Sequence, residues 1–229
     1  MIASTIPFNE ILCLIPMKAV EDAKKRLRIS FPSQKQGAIS NIISKLFLNS
    51  ITTVKQFVDF AVVSPSEETL ELALEQGSSF IYQDLGIDLN DALSTSIDYA
   101  CTTGKWRYVL ILTADLPFLT VDSFRLLSTK FQPESITILA APSRNNSQGT
   151  SGLLIPLSIW NSFTLQFGSN SFFKFSGLFT DSNIPFYSIH DTIGFDLDTI
   201  DDLIEFKTYS TTNFDLALNH GEINELFST

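Results

Sequence analysis

The chain has 229 residues, room for one α/β domain, and 44% of it is hydrophobic with 20 Phe, so it can bury a sizeable core. A net charge of −10 argues against nonspecific binding to nucleic acid or anionic membranes. No apolar run approaches the roughly 20 residues that span a bilayer, and residues 1–10 lack a basic segment leading into an apolar one, so a soluble, cytoplasmic protein is expected.

Taken in chain order, Ile11 to Pro16 reads as a short buried strand. A basic segment follows, as a loop running into a helix. Lys35 to Asn49 carries Ile39, Ile42, Ile43, Leu46 and Phe47 at helical spacing. Phe57 to Val63 is a second strand, and Glu67 to Gln76 a helix opened by Ser66 with acidic residues in its first turn. Phe80 to Tyr82 is a short strand. Leu89 to Cys101 is a helix with Leu89, Ala92, Leu93, Ile97 and Ala100 on one face. Tyr108 to Thr113 is continuously apolar, as a parallel strand covered on both faces should be. Val121 to Lys130 is a helix. Ile136 to Ala141 and Gly152 to Ile155 are strands, separated by a polar loop, Ser143 to Ser151, expected to be exposed and mobile. Ser171 to Asp181 is helical, Phe186 to Ile189 a strand, Ile200 to Thr208 a helix, and Phe214 to Thr229 a peripheral helical segment. The alternation predicts one α/β domain over residues 1–229 with a mostly parallel, twisted sheet. The two cysteines, Cys13 and Cys101, have no motif around them and read as reduced thiols.

Five of the 15 Lys and Arg lie between positions 18 and 28: Lys18, Lys24, Lys25, Arg26 and Arg28. Such a cluster in an acidic chain is either a solvated helix face or an anion site. Ligands of open α/β sheets sit beyond the carboxyl ends of the strands. Asp115, in Ala114-Asp115-Leu116-Pro117, lies just past the strongest strand, where it is a turn residue or faces the crevice. Asp196 and Asp198, two apart on an extended segment, point the same way. Side by side they repel unless a cation joins them, and Mg²⁺ prefers such oxygens. The plainer reading makes Asp198 the N-cap of the helix carrying Asp201 and Asp202. No glycine-rich Walker loop is present.

Six blocks, in order, resemble the 2-phospho-L-lactate guanylyltransferases of coenzyme F-420 biosynthesis. They are Ile15-Pro16-Met17-Lys18 with Ala23-Lys24-Lys25-Arg26-Leu27; Asp88-Leu89-Asn90-Asp91-Ala92-Leu93; Ala114-Asp115-Leu116-Pro117; Gly149-Thr150-Ser151-Gly152-Leu153-Leu154; Phe167-Gly168-Ser169-Asn170-Ser171-Phe172; and Asp196-Leu197-Asp198-Thr199 with Asp202-Leu203. The chain departs from the family pattern at Asp88, usually Gly, and at Ser151-Gly152, usually Asn-Ala. The resemblance implies a three-layer fold like that of the nucleotide-diphospho-sugar transferases. It also implies transfer of GMP from GTP to 2-phospho-L-lactate, phosphoenolpyruvate or 3-phosphoglycerate, with pyrophosphate released. Asp115, Asp196 and Asp198 would hold Mg²⁺. Lys18 and Arg26 would hold the GTP phosphates, with Lys24 among the substrate-binding residues and Asn90 near the nucleoside. Thr150, Gly168 and Ser171 would meet the acceptor, Ser171 opening a helix whose N–H groups favour an anion. The attacking phosphate is already anionic, so no general base is needed, and the isolated His190 and His220 read as structural or surface residues. A homodimer is left open. The rivals are a sugar-1-phosphate or molybdopterin nucleotidyltransferase, a glycosyltransferase using Asp-x-Asp, and a non-catalytic nucleotide-binding module.

Overall fold

A computed structural model describes residues 7–130, 136–143, 148–189, 192–210 and 220–227. Seven strands among them form one sheet: β1 (Ile11–Pro16), β2 (Asp59–Ser64), β3 (Ile81–Gln83), β4 (Tyr108–Leu112), β5 (Ile138–Pro142), β6 (Thr150–Pro156) and β7 (Phe186–Ser188), in the order β3-β2-β1-β4-β6-β5-β7. β1 pairs in parallel with β2 and β4, and β2 with β3. β6 runs antiparallel to both β4 and β5, whereas β5 and β7 are parallel. The sheet is therefore mostly parallel, with one reversed strand beside its centre.

Helices cover both faces: α1 (Lys25–Ile29), α2 (Gln36–Val54), α3 (Glu67–Glu75), α4 (Leu89–Thr103), α5 (Val121–Lys130), α6 (Ser171–Asp181), α7 (Ile200–Ser210) and α8 (His220–Phe227). The pleat sends alternate residues of each strand to opposite faces. Ile11, Cys13 and Ile15 of β1 and Leu110 and Leu112 of β4 pack with α2, α5, α7 and α8 through Ile39, Phe47, Phe124, Phe206 and Ile223. Leu12, Leu14, Val109 and Ile111 pack with α4 and α6 through Leu93, Ile97, Phe175 and Phe179. Both faces of the central strands are thus inside, which is why they read as unbroken apolar runs. Burial also pushes the Cys13 thiol pKa up, and both cysteines are free.

Most boundaries follow local signals. Ser66 caps α3 by accepting from Thr69 N at 3.3 Å, and Gly104 closes α4 in the left-handed region. α2 continues past Asn49 to Val54, because Ser50, Ile51 and Val54 extend its buried face. The polar loop is shorter than expected. Thr150 and Ser151 belong to β6 and are buried, as is Ser143, while residues 144–147 lie outside the described set. α8 is less peripheral than expected: Ile223 and Leu226 are buried in the core. Residues 211–219 of that segment, and His190, also fall outside the described residues. No helix among the described residues is long and apolar enough to cross a membrane.

Candidate active site

The carboxyl ends of β1 and β4 deliver the charged groups. Asp115 follows β4, and its backbone carbonyl accepts from Leu197 N at 3.1 Å, which ties the Asp115 turn to the Asp196–Asp198 segment. The chain leaving β1 turns back through Ala19 to Ala23 and enters α1 at Lys24, whose φ of 58° is left-handed. Among the described residues the other positive-φ positions are Gly or Asn, which tolerate that region better than a long side chain. From there the Lys24 ammonium donates to Asp115 and also to Asp198 Oδ1 at 3.3 Å. Arg26 Nη1 lies 3.2 Å from Asp198 Oδ2.

Local electrostatics follow from these contacts. Burial works against the Lys24 charge, but Asp115, joined by Asp198 and Asp196, outweighs it and raises its pKa. Burial likewise opposes the Asp115 charge, and Lys24 holds that carboxyl below its ordinary value. Asp196 is pushed upward by burial and then by the Asp115 charge, against the hydrogen bond it accepts from Ser143 Oγ at 2.6 Å.

Asp198 is not the N-cap of α7. Thr199 caps it: Thr199 Oγ1 accepts from Asp202 N at 3.3 Å, while Asp202 Oδ2 accepts from the backbone N–H groups of Thr199 and Asp198 at 2.6 and 2.8 Å. This reciprocal box frees the Asp198 carboxylate to meet Lys24 and Arg26. Lys18 is exposed just past β1 and has no ion-pair partner among the described residues, so it is Lys24, not Lys18, that reaches the aspartates. The Lys25 side chain is 77% exposed, and among the described residues it pairs with Asp22 alone.

A cleft of about 560 Å³ opens beside this cluster, lined by Arg26, Thr150, Gly168, Ser171, Asp196 and Asp198 among others. Gly168, at φ +124°, makes a turn that residues with a Cβ rarely adopt. Ser171 is the first residue of α6, as expected, but its donors do not converge on the cleft. Its N–H donates to Gly168 O, its hydroxyl to Thr150 Oγ1 at 2.9 Å, and the next N–H, of Phe172, to Gln148 O. Ser171 therefore braces Thr150. Asn90 is engaged too: Oδ1 accepts from Phe167 N at 2.7 Å and Nδ2 donates to Phe167 O at 3.2 Å, so it clamps the loop leading to Gly168. The side chains of Thr113 and Ser151 line the cleft with buried oxygens, and among the described residues Ser151 Oγ has no hydrogen-bond partner. Ser143 and Thr113 carried no sequence signal for the site, being hydroxyl residues at strand ends, whereas Ser151 lay in the fourth of the six blocks.

Among the described residues no three Asp, Glu, His or Cys side chains group tightly enough to hold a cation by themselves, and Asp198 is engaged by Lys24 and Arg26. A full carboxylate cage is not what Mg²⁺ requires, since it is commonly held by one or two carboxylates with water and substrate phosphates. Among the described residues Asp115 Oδ1 is a buried acceptor with no close hydrogen-bond partner, and Asp196 stands near enough to feel its charge. These hard oxygen donors fit Mg²⁺.

The fold is shared with proteins of little sequence likeness. A Desulfovibrio desulfuricans protein described as a nucleotide-diphospho-sugar transferase superposes with a TM-score of 0.74 at 13% identity, covering 95% of each chain. A cytidylyltransferase from Leptospira borgpetersenii gives 0.58 at 15% identity, over 95% of this chain and 93% of that one. A CMP-2-keto-3-deoxy-manno-octonic acid synthetase in complex with CTP gives 0.54 at 10% identity, over 90% of this chain and all of the other. Likeness at that level establishes the fold alone. The family is established by sequence: residues 11–213 match the model of the CofC-like guanylyl transferases. That span holds both faces of the cleft, and the chain accordingly belongs to the CofC-like guanylyl transferase family and is a nucleotidyltransferase.

Proposed function

We propose that the protein transfers GMP from GTP to the phosphate of a small phosphorylated hydroxy or enol acid, in the cytoplasm and in service of coenzyme F-420 biosynthesis. The acceptors are 2-phospho-L-lactate, phosphoenolpyruvate or 3-phosphoglycerate. The observation that carries this reading is the convergence of Lys24 and Arg26 on Asp115 and Asp198 at the rim of a hydroxyl-lined cleft.

An acceptor phosphate oxygen attacks the α-phosphorus of GTP. The new P–O bond forms as the bond to the β-bridging oxygen breaks, and pyrophosphate departs with that electron pair. The nucleophile is already anionic near neutrality, since the second pKa of a phosphate monoester is about 6, so no side chain has to take a proton. What the protein must do is place two crowded polyanions in line and neutralise them. Lys24 and Arg26 supply the positive charge on one side. On the other, Thr150, braced by Ser171, and the Gly168 turn, held through Asn90 and Phe167, orient the acceptor. Asp115 and Asp196, with Asp198 beside them, are the groups to hold Mg²⁺. When bound, Mg²⁺ supplies Lewis-acid stabilisation of the phosphate charge.

The test is pyrophosphate release by the purified chain with Mg²⁺, GTP or CTP, and each acceptor in turn. Release that requires GTP and one of the three phospho-acids is expected. Release with CTP or a sugar 1-phosphate, and none with GTP and any phospho-acid, overturns the reading.

A further inference from the structure

Arg28 belongs to the basic cluster yet does not face the cleft. A guanidinium has five N–H donors in a rigid fork, and all five are spent inside the protein. Nε donates to Ala23 O at 2.8 Å. Nη1 donates to Gln36 Oε1 at 3.2 Å and Gln36 O at 3.4 Å. Nη2 donates to Val20 O at 2.5 Å and Ser40 Oγ at 3.0 Å. Gln36 answers from the other side, its Nε2 donating to Arg28 O at 2.9 Å and Phe31 O at 3.2 Å. The two loop carbonyls that Arg28 takes, Val20 and Ala23, belong to the turn that ends at Lys24. Lys24 stands there at φ 58°, a backbone conformation that side chains other than Asn rarely hold without external support.

We propose that Arg28 is a positioning residue that acts through Lys24. The fork pins the 20–23 turn to the start of α2, and so keeps Lys24 in the left-handed conformation from which its ammonium reaches Asp115 and Asp198. With the fork removed, Ala23 O loses its partner and Val20 O keeps only the 3.3 Å bond from Ala23 N, so the turn relaxes towards ordinary backbone angles. The Lys24 side chain then swings away from the aspartates. Lysine cannot replace Arg28, because a single ammonium has no planar fork to span Ala23, Val20 and Gln36 together. The proposal rests on the guanylyltransferase reading only for what Lys24 does once it is in place.

Two measurements on the full chain test it: amide hydrogen exchange without ligand, and GTP titration in the presence of Mg²⁺. Both are made on the parent protein, Lys24→Ala, Arg28→Ala, Arg28→Lys and the Lys24→Ala/Arg28→Ala pair. Arg28→Ala is expected to speed exchange across residues 19–28, and Lys24→Ala is not. Each single change is expected to weaken GTP binding by about tenfold or more, and the pair to bind no worse than Lys24→Ala alone, because the two act as one unit. Arg28→Lys should behave like Arg28→Ala, and it carries the same comparison if the alanine variant does not fold. Unchanged exchange over 19–28, multiplying losses in the pair, or full GTP affinity in Arg28→Lys would each overturn the proposal. If the parent protein itself fails to bind GTP, the guanylyltransferase reading falls, and the exchange data alone decide whether the clamp exists.

Discussion

Lys24→Ala is the most informative single change. It removes the ammonium that joins Asp115 to Asp198 and leaves Asp115 facing Asp196 without a counter-charge. The Lys24 and Asp115 side chains are 12% and 18% exposed, and Asp198 is 36% exposed. Breaking a fully buried pair costs about 3–5 kcal/mol. The solvent reaching Asp198 lowers the expected loss here to roughly 1–3 kcal/mol. Lys24→Gly separates charge from backbone, since it loses the same ammonium but adopts φ 58° freely. It should be the more stable of the two by about 1 kcal/mol, with an equal loss of turnover. In the parent protein the folded pKa of Asp115 is depressed. Its contribution is therefore present above the unfolded value of about 3.9 and is lost as pH falls through the folded value. In the variant the Lys24 charge and hydrogen bond are gone and only the weaker remaining hydrogen bonds stand against burial, so the same carboxyl favours folding less as pH rises than it does in the parent. The stability gap between parent and variant should widen from pH 4 to pH 7. Urea denaturation at those two pH values and pyrophosphate release are the assays, with the exposed Lys25→Ala as control, expected within about 0.5 kcal/mol of the parent and fully active. A Lys24→Ala protein with normal turnover and a pH-independent gap would refute the reasoning.

Asp115→Asn should cut turnover by more than about a hundredfold with the fold intact; near-normal turnover removes Asp115 from the mechanism. Ser171→Ala should raise acceptor KM about tenfold through the unbraced Thr150 while leaving GTP affinity unchanged, and a loss of GTP binding instead places that block on the nucleotide side. Gly152→Ala brings a Cβ within 3.0 Å of Ile193 Cγ2 and 3.1 Å of Leu112 Cδ2, so it should destabilise by about 1–3 kcal/mol, read from urea midpoints; an unchanged midpoint means the wall yields. Burial opposes the Asp59 charge, but hydrogen bonds from Lys105 and Trp106 outweigh it and lower its pKa. The stability it adds is present above about pH 3.9 and fades as pH falls through its folded value, so the deficit of Asp59→Asn should shrink in acid, and a deficit constant from pH 3 to 7 argues against that pairing.

Much of this was legible along the chain, for a local reason. β1 and β4 announce themselves because both of their faces are covered, α2 and α4 because their buried residues recur at helical spacing, and α3 because Ser66 and the acidic first turn mark its start. The six blocks carry the family. The misreadings share a different cause. Thr150 and Ser151 look like loop residues because a polar side chain on a buried strand is indistinguishable from one in solvent until its partner is known. Asp198 and Thr199 are both residue types that cap helices, and only the position of Asp202 decides that Thr199 does so. Asn90 could reach a ligand or a backbone loop, and the loop at Phe167 is what it meets.

The chain's own order of residues determined the α/β class and the doubly covered central strands and singled out Asp115, Asp196 and Asp198 as candidate metal ligands, since periodicity and motif are properties of neighbours. Tertiary structure alone decided which cation meets them. Lys24 lies 91 positions from Asp115 and 174 from Asp198, and Lys18, Lys24 and Arg26 are equivalent as charges in a row. Lys24 takes the bridging place between Asp115 and Asp198, with Arg26 on Asp198, because the turn pinned by Arg28 holds the Lys24 backbone left-handed. A dihedral angle of that kind depends on a side-chain fork that ties the turn's own carbonyls to Gln36 and Ser40 of α2, which a row of charges does not reveal.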